Sequence, residues 1–229
     1  MKYTLLIDVT LTAINTTLTG ENSELSQQNF TLSQPAETIT AEQIVTEMLT
    51  AIKKVQATLT NDDFIETITF AEMTLDSLVP FDEQKKALMP IIYAHDTQKY
   101  IDALMMNGVI GQLERKTGLV FQEVTPLMQI LWLKNEEPEI FAKAAQYMNI
   151  QSYIIYRLFD LEITSPAAAG RTGFYNLVNQ SWDDQALALN GLTSEQLPRV
   201  VDVNVKSFKL TSEMRTYLGI TEDTTFHMN

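Results

Sequence analysis

The sequence predicts an α/β fold in which an antiparallel three-strand meander continues into parallel strands, giving a mixed sheet with many flanking helices. Three observations carry this. Residues 3–18 hold an apolar β-branched run, a short Thr-Leu-Thr reversal and a second alternating run, which is the pattern of a hairpin. A helical pattern over residues 41–59 separates that hairpin from another alternating run at 64–73, and a helix between two strands of one sheet makes them parallel. Beyond residue 97 the apolar spacing is mainly helical.

Each element has a local reason. In the first hairpin a buried strand ends on the carboxylate of Asp8, and Ile14, Thr16 and Leu18 share one side of its partner. Gly20-Glu21-Asn22-Ser23 turns the chain into a third, polar strand over residues 24–32. Thr40 caps the helix at 41–59, whose buried stripe is Ile44, Met48, Ala51, Ile52 and Val55. Residues 78–81, a turn at 82–86 and residues 88–93 read as an edge hairpin, since Pro80 and Pro90 do not suit central strands. Helices follow at 97–106, 109–117, 126–135, 138–146 and 150–159, then a small-residue interruption at 164–173 and a helix at 182–189. Residues 196–205 read as extended, 211–218 as a helix closed by Gly219, and Phe226 as the start of a strand.

The totals narrow the function. Asp and Glu outnumber Lys and Arg 29 to 16, so a nucleic-acid backbone would find no counter-charge, and nucleic acid is set aside as a partner. With no cysteine and two histidines, thiolate chemistry and a histidine-rich metal site are excluded. No signal-type segment or membrane-length apolar run occurs, so no membrane partner is expected and the cytoplasm is the expected location.

Several passages then point one way. Thr125-Pro126-Leu127-Met128-Gln129-Ile130-Leu131-Trp132-Leu133 leads into Pro138-Glu139-Ile140-Phe141, and Ala169-Gly170-Arg171-Thr172-Gly173-Phe174-Tyr175-Asn176 leads into Trp182-Asp183-Asp184. In register from Tyr3 to Phe226, these passages resemble the N-terminal domain of the FGGY carbohydrate kinases, most closely the gluconate and xylulose kinase branch. The resemblance implies an actin-like, ribonuclease H-like fold, in which two α/β domains close over a cleft with sugar bound by the first and nucleotide by the second. It also implies ATP and Mg²⁺ as cofactors and a sugar or sugar acid as ligand. Residues 1–229 correspond to the first domain alone: the family's second domain opens with a Gly-Gly strand leading to the catalytic-base Asp, and no Gly-Gly pair occurs here. The expectation is one domain with the nucleotide-binding domain absent and no catalytic residue of its own.

The resemblance also assigns site residues. Asp8 matches the acid that organises the metal, and Thr10 and Thr12 fall in the phosphate loop. That loop departs from the family's Gly-Thr-Thr: glycine becomes Thr10, the first hydroxyl becomes Leu11, and a nearby basic residue becomes Asn15. On the sugar side, Asp76, Asp96, Gln98 and Ser165 stand at family contact positions, with Gln98 in place of arginine and Ser165 in place of aspartate. Each lost hydrogen bond to a sugar hydroxyl costs about 1–3 kcal/mol, so weak sugar binding is expected. A plainer reading stands beside this one: Asp8 as a strand-end acid bonded to the turn, Asp76, Asp96 and Gln98 as a solvated rim, and His95 as a hydrogen-bonded surface residue. Two functions therefore compete. One is the sugar-binding half of an ATP-dependent kinase, completed by a C-terminal kinase domain chain. The other is a non-catalytic sugar-sensing or interaction module, with a homodimer as one form.

Overall fold

The computed structural model describes residues 1–20, 23–35, 37–60, 62–73, 75, 77–92, 96–122, 124–203 and 208–228. The chain begins with β1 (Lys2–Val9), β2 (Ala13–Gly20), β3 (Ser23–Thr31), α1 (Ala41–Gln56) and β4 (Phe64–Phe70). Antiparallel β1–β2 and β2–β3 pairs make the predicted meander, and β4 joins β1 in parallel, as the intervening helix requires. Along β1, Tyr3, Leu5, Ile7 and Val9 are buried while Thr4 and Leu6 are exposed, so the period of two gives the sheet one core face and one outer face. The predicted stripe of α1 is buried in full, and Thr40 with Gln43 forms a capping box at its start. The helix ends at Gln56, sooner than its apolar pattern suggests, because the amides of Thr58 and Leu59 tighten onto the carbonyls of Val55 and Gln56.

Next come β5 (Val79–Phe81), α2 (Gln98–Met106), α3 (Val109–Thr117), α4 (Pro126–Glu136), α5 (Pro138–Lys143), β6 (Gln146–Met148) and α6 (Ile150–Phe159). The rest is β7 (Ile163–Thr164), α7 (Pro166–Gly170), β8 (Tyr175–Asn176), β9 (Ser181–Trp182), α8 (Asp184–Asn190), a 3₁₀ turn (Ser194–Gln196), β10 (Arg199–Val200), α9 (Ser212–Leu218) and β11 (Thr225–Met228). β11 adds in parallel to β4, so the main sheet has five strands in the order β11-β4-β1-β2-β3 and the strand expected at Phe226 is present. Gly219 closes α9 at φ +65°, the left-handed position predicted for it.

The edge hairpin is a correction. β5 pairs with β6 rather than with residues 88–92, and among the described residues the turn adds one isolated bridge, Phe81 to Ala87; Tyr93 lies outside the described residues. Leu88 donates to the Pro80 carbonyl, but the chain then runs toward Pro90 without a ladder, while Ala145 donates to Phe81 and starts the β6 pairing. That pairing is also why α5 stops at Lys143 and does not reach Gln146. The small-residue interruption contains the short helix α7, started by Ser165 and Pro166. Trp182 lies in β9, so the helix predicted at 182–189 begins two residues later, at Asp184. Part of the extended segment at 196–205 is β10; its end lies outside the described residues.

Two apolar clusters hold these layers. One lies between the sheet and α1, α6 and α9; the other gathers around α4 with side chains from α2, α3 and α8. β6 joins them, with Met148 in the first and Tyr147 in the second. Among the described residues no helix is long and apolar enough to cross a membrane.

Candidate functional site

Thr10 and Thr12 lie in the turn at the hairpin tip, and Asp8 lies near the end of β1 that leads into it. Asp8 points to the outer face of the sheet, where its Oδ2 accepts from Asn15 Nδ2 at 3.1 Å, and Asn15 Oδ1 in turn accepts from Asn29 Nδ2 at 2.6 Å. Cross-strand register places these three residues in one row, Asp8 opposite Asn15 and Asn15 opposite Asn29. A groove of about 500 Å³ runs beside the row, lined also by Leu6, Thr17 and Gln27.

The turn is closed by Thr10. Its Oγ1 accepts from the amide of Ala13 at 3.0 Å and from that of Thr12 at 3.4 Å, and donates to the Ala13 carbonyl at 2.9 Å. Leu11 rests against the sheet-side core, and the Thr12 side chain is exposed. A phosphoryl oxygen held at this turn would need the same amides, and among the described residues no three Asp, Glu or His side chains gather to hold a metal ion. In this turn the Thr12 and Ala13 amides already have an acceptor in Thr10 Oγ1.

On the sugar side, the described residues Gln98 and Ser165 bond to neighbours within their own segments of the fold. Gln98, at the start of α2, donates its Nε2 to Asp102 Oδ1 at 2.7 Å, along its own helix. Asp96 is exposed at φ +54°, just before that helix. Ser165 is buried: its Oγ caps α7 by accepting from Ala168 and donates to Gln151 Oε1 at 3.2 Å. Asp76 and His95 lie outside the described residues.

Sequence reasoning missed two groups that the structure brings forward. Arg171 reaches from the end of α7 to the segment just after β4, donating to the Met73 carbonyl at 2.7 Å and to Glu72 Oε1 at 3.0 Å, which ties the alanine-rich box to the residues that lead to Asp76. A lone cation among small residues was its signal. Asp183 is buried, caps α8 through the amides of Gln185 and Ala186, accepts from Asn176 Nδ2 at 3.0 Å and pairs with Lys116 at 3.2 Å. Burial opposes its charge, but the Asn176 and Ala186 donors and the Lys116 ammonium outweigh that and hold its pKa below the ordinary aspartate value. Gly173, at φ +82° beside it, has no room for a Cβ, which would meet Phe121 at 2.9 Å.

The gluconokinase of Bacillus subtilis (strain 168) is 29% identical over 191 residues, covering 82% of this chain and 37% of the relative. A crystal structure of gluconate kinase from Lactobacillus acidophilus superposes with a TM-score of 0.86 at 26% identity, covering 99% of this chain and 48% of that one. A ligand-bound xylulose kinase from the same organism gives a TM-score of 0.87 at 25% identity, again over 48% of its length. The chain thus spans less than half the length of these relatives, and the expected actin-like, ribonuclease H-like architecture is borne out. A family model described as the FGGY family of carbohydrate kinases, N-terminal domain, matches residues 3–228, and the chain belongs to that family.

Proposed function

We propose that this chain is the sugar-binding half of an ATP-dependent carbohydrate kinase of the gluconate or xylulose kinase type, working in the cytoplasm. Residues 1–229 form its first domain, and further sequence or another chain supplies the nucleotide site and the catalytic base. The observation that carries this reading is the unbroken family match over residues 3–228. Alone, the chain transfers no phosphate. In the completed kinase, Asp76 and Asp96 accept from sugar hydroxyls, while Gln98 and Ser165 contribute only if they leave Asp102 and Gln151.

A second reading, a non-catalytic sugar-sensing or interaction module, is favoured by the way Gln98 and Ser165 spend their side chains on neighbouring groups. Calorimetric titration of the chain with gluconate, xylulose and ATP tests both. The kinase-half reading expects sugar binding at roughly millimolar affinity, near −4 kcal/mol, and phosphorylation once the second half is supplied. Sugar binding with no phosphorylation in the completed assembly leaves the sensor. Absence of any sugar binding overturns both sugar readings.

A further inference from the structure

The phosphate-loop position of this fold and the residues that occupy it disagree, and Thr10 is where they disagree. We propose that Thr10 is a built-in occupant of the β1–β2 turn: its hydroxyl takes up the backbone donors that a phosphoryl oxygen would need, so the hairpin is closed to phosphate. The inference rests on the hairpin alone: it is independent of whether the chain binds a sugar and, where it holds, favours the non-catalytic reading over the kinase half.

The turn amides of Thr10, Thr12 and Ala13 are satisfied from within. Thr10 Oγ1 accepts from the Ala13 amide at 3.0 Å and the Thr12 amide at 3.4 Å while donating to the Ala13 carbonyl at 2.9 Å. The Thr10 amide donates to that same carbonyl at 3.0 Å, so both ends of the turn are cross-linked. A side-chain hydroxyl bonded in this way competes directly with any external acceptor for the amides. Two neighbours hold the closed form in place. Leu11 packs against the sheet-side core, and the Leu32 amide donates to the Thr12 carbonyl at 2.8 Å, tying the turn to the end of β3. Asp8 takes no part in the turn, because Asn15 holds its carboxylate in the row on the outer face. A phosphoryl group arriving at the Thr12 and Ala13 amides meets donors already bonded and no cation from the turn.

The test is amide hydrogen exchange and resonance titration on the full chain. In the wild type, inorganic phosphate and Mg²⁺·ADP leave the amide resonances of Thr12 and Ala13 in place. Thr10→Ala removes the acceptor and speeds exchange of the Ala13 amide by about fivefold or more, as expected for loss of one ordinary hydrogen bond. Thr10→Ser restores the acceptor and keeps exchange within about twofold of the wild type. Saturable movement of the wild-type Thr12 and Ala13 resonances with either probe would overturn the proposal. So would an Ala13 exchange rate that Thr10→Ala leaves unchanged.

Discussion

Asp8 and Asp183 both stand near the ends of strands, and their surroundings differ in kind. Asp8, near the end of β1, is half-buried and takes one carboxamide hydrogen bond, from Asn15. Asp183, directly after β9, is 5% exposed and joins a helix cap, a buried asparagine and a lysine in one cluster. Family resemblance attaches the chemistry to Asp8, while packing attaches the fold to Asp183. An acid whose lone pairs are all committed is structural, and one held by a single neighbour is free to change. Substitutions at the two positions separate these roles.

The largest effect is expected at Asp183. Asp183→Ala removes the cap of α8, worth about 1 kcal/mol. It also leaves the buried Asn176 Nδ2 without its acceptor, a further cost of about 1–3 kcal/mol. The Lys116 ammonium is partly exposed and adds little. A loss of about 3 kcal/mol lowers the melting temperature of a chain this size by roughly 6–12 °C, which calorimetry reads directly. A drop of under about 2 °C would reduce Asp183 to the standing of Asp8.

A smaller effect appears with pH. The folded pKa of Asp183 lies below its unfolded value, so the charged form stabilises the fold. That contribution is fully present above the unfolded value of about 4 and is lost as pH falls through the lower folded value. Asp183→Asn keeps an acceptor for the cap but lacks the charge. The melting-temperature gap between wild type and Asp183→Asn is therefore constant near neutrality and narrows as pH falls below about 4. Other carboxylates with lowered pKa values, Glu136 and Glu162 among them, are common to both proteins and cancel in the difference.

The same contrast explains what the sequence could and could not disclose. The sheet was legible because an apolar β-branched run at β1, an alternating run at β2 and a 3.6 period at α1 stand in order, and the stripe of α1 is buried residue for residue. Pairing over distance was not: nothing local says that Val79 to Phe81 would meet Gln146 to Met148 rather than the segment after the turn. The surroundings of the site residues were hard to read for a related reason. Ser165 followed by Pro166 is an N-cap signature, and Asp183 before Asp184 is another, so both were readable as caps. The family correspondence assigns Ser165 a sugar role, and the cap is a second role for the same hydroxyl. The Asp8–Asn15–Asn29 row depends on register across three strands, which no single stretch of sequence contains.

The smallest effect is expected at Asp8, and it sharpens the comparison most. Asp8→Asn keeps an oxygen that can accept from Asn15 Nδ2 and removes only a charge that no cation in the row answers. Stability should change by no more than about 0.5 kcal/mol, as for substitutions away from buried networks. A ligand that binds the folded state alone stabilises it by mass action, so Mg²⁺ bound at Asp8 would raise the wild-type melting temperature and not that of Asp8→Asn. Because Thr10 occupies the turn amides and no acid cluster accompanies Asp8 among the described residues, Mg²⁺ should leave both proteins unmoved. A Mg²⁺-dependent rise confined to the wild type would return Asp8 to the metal-organising role that its position in the family implies.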